Sequence, residues 1–154
     1  MKNLEIKSAV ACDDIRQEVN GKFLLIGVYG AEIAVPQLPV DFVLSYWILV
    51  IPKDLMEHVL ELRLINEANV VLIGGKFQFK ARDLKPGLMP FSGMVFQAQS
   101  EGVIRFQLRE SGVDEAWETV HEIPIVVRSI RRPPSEPNVS TQPSSQSRRD
   151  PRDS

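Results

Sequence analysis

The apolar and polar residues of this chain alternate with the period of β-strands. Two early segments with this pattern are Leu60–Ile65 and Val71–Lys80. In two later segments, the apolar positions predicted to face inward are Met94, Phe96 and Ala98, then Ile104, Phe106 and Leu108. Successive side chains of a strand point to opposite faces of its sheet. The alternation therefore predicts antiparallel sheets that are packed on one side and solvated on the other.

Two further segments, Lys22–Tyr29 and Phe42–Ile51, are apolar on both faces, which predicts central strands that are covered on both sides. Turn residues separate the strands, among them Asn66–Asn69, Lys85–Gly87 and Glu101-Gly102. No amphipathic helix is evident. The pattern predicts an all-β fold, an antiparallel two-sheet β-sandwich of about eight to nine strands.

Asn20-Gly21 is the clearest local signal, because Asn-Gly favours a two-residue type I′ turn in a β-hairpin. The register that such a turn predicts pairs Val19 with Lys22, Ile15 with Ile26, and Asp14 with Gly27. It places four apolar side chains on one face: Ile15, Val19, Leu24 and Ile26.

The strand pattern ends after Arg128, and the composition changes. Residues 131–154 contain five prolines, six serines and a single aliphatic residue, Val139. Such a segment buries too little apolar area to offset the entropy of ordering it. We therefore predict a domain over residues 1–130 and a disordered Pro/Ser/Arg-rich tail over residues 131–154. The domain carries 13 basic and 17 acidic residues, and the tail carries five arginines and three carboxylates.

Composition narrows the class of protein. The chain has 154 residues, 44% of them hydrophobic and 25% charged, with a net charge of −2, which suits one globular domain. Cys12 is the only cysteine, so we expect no internal disulfide and a small buried side chain. The apolar run Phe42–Ile51 is shorter than the about 20 residues that a membrane-spanning helix needs. We expect a cytoplasmic, bacterial protein with no membrane association.

The run Ala11–Tyr29 contains Cys12-Asp13-Asp14-Ile15-Arg16 and, after a glycine turn, Gly27-Val28-Tyr29. This hairpin resembles a family of small bacterial proteins that is known only as a domain of unknown function. The resemblance extends over residues 4–128 and is most specific in the hairpin. It implies a β fold and carries no activity or catalytic residue.

An enzyme needs a nucleophile, a base and an orienting group, or a set of metal ligands. The histidines are His58 and His121, and no hydrolase, phosphate-loop or dinucleotide motif accompanies them. Gly74-Gly75 lies within a strand, where a β-bulge or a close backbone approach would explain it. We predict no catalytic, cofactor-binding or metal-binding residues, no cofactor, and no enzymatic activity.

The adjacent carboxylates Asp13 and Asp14 interrupt an apolar strand and have two interpretations. With Asp83 or Asp114 they would offer oxygen ligands to calcium. Alternatively, they mark a bulge or strand end, where they accept backbone N–H bonds near Arg16. The second interpretation is favoured, since adjacent residues of a strand face opposite ways.

Five basic residues are predicted to point outward from neighbouring strands: Arg63, Lys76, Lys80, Arg105 and Arg109. Together with the tail arginines they would suit phosphate contacts, but aromatic stacking residues are not predicted beside them, so a solvated face is favoured. Tyr46, Trp47 and Trp117 would suit a carbohydrate platform. Packing is the favoured role, with Trp47 in the core and Trp117 partly exposed.

These observations favour a non-catalytic binding or assembly module that acts through protein–protein contacts, either at loops or at an unpaired strand edge. The alternative is a nucleic-acid-associated protein that uses the outward basic residues and the tail. The sequence indicates neither the partner nor the oligomeric state.

Overall fold

The computed structural model describes residues 1–112 and 116–129, which form ten β-strands and no helix. The strands are β1 (Leu4–Cys12), β2 (Asp14–Gln17), β3 (Phe23–Ile26), β4 (Ile33–Val35), β5 (Val40–Pro52), β6 (Glu57–Ile65), β7 (Val71–Lys80), β8 (Gly87–Ala98), β9 (Gly102–Glu110) and β10 (Glu118–Val127). The all-β prediction is confirmed. The predicted tail, residues 131–154, lies outside the described residues, as does Asp114.

The strands form three sheets. One has three strands in the order β1-β5-β8, one has five in the order β4-β10-β9-β6-β7, and β2 and β3 form a two-stranded sheet. Nearly all neighbours are antiparallel, but β4 runs parallel to β10. β4 was not predicted, because three residues are too few to display a period. Its Ile33 and Val35 are nevertheless buried, at 1% and 4% exposure.

The main hydrophobic core contains side chains of both the three-stranded and the five-stranded sheet. Tyr46 of β5 stacks on Phe106 of β9 with ring centroids 4.4 Å apart, and Phe91 of β8 meets Phe77 of β7 at 5.1 Å. The inward positions predicted for β8 and β9 are confirmed, since Phe96 is 6% exposed and Phe106 is fully buried. We call the face of each sheet that turns away from this core its outer face.

The two segments that are apolar on both faces differ from the prediction. β5 is central in its sheet, but its outer face is not fully covered: Val43 is 53% exposed, and Trp47 is only partly buried. The prediction of a central strand over Lys22–Tyr29 is wrong. β3 pairs only with β2, and Leu24 is 50% exposed.

The hairpin between β2 and β3 has a different register from the one predicted. Its pairs are Asp14 with Ile26, Ile15 with Leu25, Arg16 with Leu24, and Gln17 with Phe23. The Gly21 N–H donates to the Glu18 carbonyl at 2.9 Å, and the Glu18 N–H donates to the Lys22 carbonyl at 2.8 Å. Glu18 and Lys22 thus extend the pairing by one step, and three residues, 19–21, form the connection between them. Gly21, at φ +82, is the left-handed residue that follows a type I turn. Val19 is consequently fully exposed rather than inward.

Candidate functional site

His58 is held by carboxylates at both ring nitrogens. Nε2 lies 2.6 Å from Asp54 Oδ1, and Nδ1 lies 2.8 Å from Glu110 Oε1, which also accepts a hydrogen bond from Asn3 Nδ2 at 2.9 Å. The bond to Asp54, followed by the bond to Glu110, raises the pKa of His58 against the opposing effect of burial. An imidazolium that is bonded at both nitrogens has no lone pair for base catalysis or metal binding. His58 thus fastens the β5–β6 connection to the end of β9.

His121 is partly buried, and its ring meets that of the buried Tyr46 edge to face at 5.5 Å. Burial lowers the pKa of His121, which favours the neutral ring. Neither His121 Nδ1 nor the Tyr46 hydroxyl has a hydrogen-bond partner within the described residues. A general base needs an orienting group at its second nitrogen, and His121 shows none there.

Asp13 and Asp14 have different partners. Asp13 accepts a hydrogen bond from the Tyr29 hydroxyl, while Asp14 Oδ2 accepts one from Arg16 Nε at 2.9 Å. The break between β1 and β2 that the structural interpretation predicted is present, and Arg16 is its predicted neighbour. The expected backbone N–H donors to the two carboxylates are replaced by these side chains. Over residues 1–112 and 116–129, no group of three potential metal ligands is found.

The Asp13 side chain leaves room only for glycine at position 27. A Cβ atom on Gly27 would lie 1.9 Å from Asp13 Oδ2, and its φ of +64 also favours glycine. Cys12, next to Asp13, is completely buried as predicted, and burial raises the pKa of its thiol. A buried thiol with a raised pKa is a poor nucleophile. This corner of the molecule is therefore a packed junction between β1 and the hairpin.

The outer face of the five-stranded sheet carries the predicted basic residues, but three of the five are in ion pairs. Glu61 Oε1 lies 2.7 Å from Lys76 Nζ, and Glu61 Oε2 lies 2.6 Å from an Nη atom of Arg109. Arg105 Nε lies 3.0 Å from Glu122. Hydrogen bonds from Lys76, Arg109 and Ser111 lower the pKa of Glu61 to about 2. Two carboxylates, Glu61 and Glu122, thus offset part of the positive charge of this face.

Arg63 differs from these neighbours. Its Nε donates to Gln107 Oε1 at 2.7 Å, and no carboxylate pairs with it in the described part of the chain. The expectation that no aromatic ring accompanies the basic residues is wrong. The Trp117 ring lies over the guanidinium carbons of Arg63 and Arg109, at 4.1 and 4.4 Å from the ring centroid. Trp117 was predicted to be partly exposed, and it is partly buried by these contacts.

An open hollow of about 310 Å³ lies beside Trp117. We call it the Trp117 hollow; it is lined by Glu61, Leu62, Arg63, Val71, Gly74, Gly75, Lys76 and Trp117. The bulge predicted at the two glycines is absent, because Gly75 pairs with Leu62 and Gly74 with Arg63 in regular register. The pairing irregularity of these strands falls instead between Leu64 and Ile65. Sequence reasoning missed this hollow, since it depends on β6, β7 and the start of β10 coming together.

A second hollow, of about 340 Å³, lies where the β6–β7 and β8–β9 connections meet, with Asn66, Glu67, Gln99 and Glu101 among its lining residues. Glu101 Oε1 accepts a hydrogen bond from the Val127 N–H at 2.5 Å. The Glu67 side chain packs so near Gly102 that a Cβ atom there would lie 2.6 Å from Glu67 Oε2. Glu101 thus holds the backbone at the end of β10 in place.

The outer face of the three-stranded sheet is apolar in its central part. Register pairs Val43 with Val95, Trp47 with Pro90, and Leu49 with Leu88 across β5 and β8. On the other side of β5, Val10 of β1 is opposite Trp47. Val95 is 67% exposed and Leu88 is 39% exposed. The prediction that Trp47 lies in the core is wrong, whereas Tyr46, its neighbour in sequence, is fully buried. Trp47 and Trp117 lie on different sheets and do not form one platform.

No protein-family model matches this chain, and no curated protein matches it. The family resemblance of the β2–β3 hairpin therefore stays a prediction. Within residues 1–112 and 116–129 there is no helix of the length and hydrophobicity needed to cross a membrane.

Proposed function

We propose that this protein is a non-catalytic binding or assembly module that contacts a protein partner through the outer face of the three-stranded sheet. The observation that carries the proposal is the row of apolar pairs along β5 and β8, with Trp47 near its centre. In an antiparallel sheet with one solvated face, polar residues normally occupy the outward positions. Contiguous exposed apolar residues on a folded domain are typical of interaction surfaces.

The composition of this face also suits a protein interface. Aromatic residues are enriched at the centres of interfaces and charged residues are depleted there. Trp47 and its neighbours Val10 and Pro90 are uncharged, while Glu5 and Asp41 lie toward opposite ends of the face. An apolar centre with charges at its margin matches the usual arrangement of a buried core and a polar rim.

We infer that the three-stranded and five-stranded sheets are the two layers of a β-sandwich. The contacts of Tyr46 with Phe106 and of Phe91 with Phe77 support this arrangement. In a sandwich the inner faces are consumed by the core, so only outer faces, edges and loops remain for partners. The module would act in the cytoplasm, the compartment expected from the sequence.

The alternative, association with nucleic acid, has less support. Lys76, Arg105 and Arg109 are already paired with carboxylates, which reduces the charge they offer to phosphates. The apolar pairs at the centre of the outer face of the three-stranded sheet offer no positive charge for binding the phosphates of a nucleic acid. These two observations favour a protein partner.

Affinity capture with matched variants tests the proposal. Val95→Lys places a charge on the apolar face, and Gln78→Lys places the same charge on the exposed outer side of β7. Wild type and Gln78→Lys should retain the same cellular protein, and Val95→Lys should lose it. Equal recovery with all three baits would contradict the proposal.

A further inference from the structure

Among the described residues, the cations that line or border the Trp117 hollow outnumber its carboxylates. Three cations line or border it, Arg63, Lys76 and Arg109, and Glu61 is the one carboxylate of its lining. Both oxygens of Glu61 are occupied: Oε1 by Lys76 and the Ser111 hydroxyl, and Oε2 by Arg109. The charge of Glu61 is therefore spent on Lys76 and Arg109, and the guanidinium of Arg63 is left without a carboxylate among the described residues.

Arg63 is placed as an anion-binding arginine would be. Its Nε is fixed by Gln107, which is itself fixed because its Nε2 donates to Thr119 Oγ1 at 2.9 Å. The Trp117 ring lies over the guanidinium and limits its rotation. A guanidinium has five N–H donors in a rigid fork, and the Nε bond to Gln107 uses only one of them. Burial, followed by the charge of the nearby Arg109, lowers the pKa of Arg63.

The two glycines of the hollow have no structural explanation within the fold. Neither Gly74 nor Gly75 has a positive φ. A Cβ on Gly74 would meet Val71 Cγ1 at 3.6 Å, and one on Gly75 would meet Leu62 Cγ at 4.0 Å, which are ordinary contact distances. Glycine weakens a strand because it loses more conformational entropy on folding than other residues. A glycine inside a strand often marks a bulge, a bend or a place where a ligand or another backbone approaches closely, and the regular register at Gly74 and Gly75 excludes the bulge.

We propose that the Trp117 hollow binds a carboxylate that is carried on a flat apolar group. The Arg63 fork would receive the two carboxylate oxygens, and Lys76 would add charge at the rim. The apolar group would occupy the space that Gly74 leaves open, between Val71 and Trp117. The hollow is at the lower end of the size range of small-ligand sites, so it suits one such group. The site goes beyond the proposed protein interface, because it lies on the outer face of the other sheet.

An NMR titration of the full chain with benzoate tests the proposal. The amide signals of Gly74 and Gly75 and the indole signal of Trp117 report on the hollow, and the Trp47 indole reports on the opposite face. We expect benzoate to shift the first three signals in a saturable manner and to leave the Trp47 signal in place. Benzamide has the same shape without the charge and should bind about tenfold more weakly or worse.

Two variants and their controls locate the site. Gly74→Val adds apolar atoms to the hollow from a Cβ atom that meets only ordinary contact distances, and should abolish the saturable shifts. Gly75→Ala directs its methyl group toward Leu62 and should keep them. Arg63→Lys retains the charge but loses the fork, and should weaken binding about tenfold. Arg105→Lys is the control on the same sheet, because Arg105 is already paired with Glu122. Unchanged unfolding midpoints would show that each variant is folded.

A peptide with a central glutamate, tested beside its glutamine analogue, distinguishes a peptide carboxylate from a free small acid. Tighter binding of benzoate than of the glutamate peptide would support a carboxylate on a flat apolar group, and the reverse would overturn that assignment. Equal binding of benzoate and benzamide, or unchanged binding by Gly74→Val, would overturn the proposal. Preference for phenyl phosphate over benzoate would overturn the carboxylate assignment.

Discussion

The two outer faces of this protein are built on the same strand geometry and carry opposite chemistry. On the five-stranded sheet, outward side chains such as Glu61 and Arg109 are charged and bond to one another. On the three-stranded sheet, the corresponding positions of β5 carry Val43, Trp47 and Leu49, which lie opposite the apolar residues Val95, Pro90 and Leu88 of β8. Exposure to solvent explains why the outer face of the five-stranded sheet carries charged residues. The other outer face exposes apolar area that folding alone does not require, and this difference is the reason for assigning the binding surface to the three-stranded sheet.

The inner faces set the scale for this comparison, and truncation of an inner ring should have the largest effect. Phe106→Ala removes a fully buried phenyl ring that stacks on Tyr46, and should lower the free energy of unfolding by about 3–5 kcal/mol. Val95→Ala removes apolar atoms from a residue that is 67% exposed, and should cost less than about 1 kcal/mol. Urea denaturation of both variants measures the difference. Similar losses would mean that the outer face of β8 is covered within the folded chain.

The ion pairs of the five-stranded sheet should give a stability that depends on pH. The pKa of Glu61 is lowered from its ordinary value of 4.5 to about 2. A lowered pKa stabilises the folded state above the unfolded-state value, and this contribution is lost as pH falls through the folded-state value. Glu61→Gln should therefore lower the urea midpoint at pH 7, and the difference from wild type should shrink as pH falls from 4.5 toward 2.

Glu122→Gln is the control for Glu61→Gln. Glu122 pairs with Arg105 alone, and its side chain is 56% exposed, so the effect should be smaller. A difference between Glu61→Gln and wild type that is the same at pH 7 and pH 3 would refute the role given to the carboxylate charge.

The two histidines should titrate on opposite sides of the ordinary value of 6.5. Hydrogen bonds to Asp54 and Glu110 raise the pKa of His58, whereas burial lowers the pKa of His121. His58 should therefore stabilise the fold fully below pH 6.5, and this contribution should be lost as pH rises through its raised pKa. NMR titration of the ring protons checks the order. A pKa of His58 below that of His121 would show that His58 does not bridge the β5–β6 connection and β9.

Strand periodicity was sufficient to predict the inner face, because burial of Phe96 and Phe106 requires every second residue to be apolar. Local sequence did not determine the hairpin register, since Gly21 takes a positive φ in either a two-residue or a three-residue connection. Which residues lie on the outer faces could not be predicted from local sequence either, because it depends on how the strands pair. Trp47 lies in a segment that is apolar on both faces, and only the three-stranded sheet shows that one face is not fully covered. The Trp117 contact with Arg63 and Arg109 depends on strands that are distant in sequence.

Site-specific photo-crosslinking in living cells tests whether the outer face of the three-stranded sheet binds a protein partner. A benzophenone amino acid at position 95 would lie on the apolar outer face, and the same group at position 78 would lie on the exposed outer side of β7. Position 95 should form a discrete adduct with one protein, and Trp47→Lys in the same chain should abolish it without loss of folding. Position 78 should form no such adduct. Adducts of equal yield from both positions, or none from position 95, would contradict the assignment of the binding surface to the three-stranded sheet.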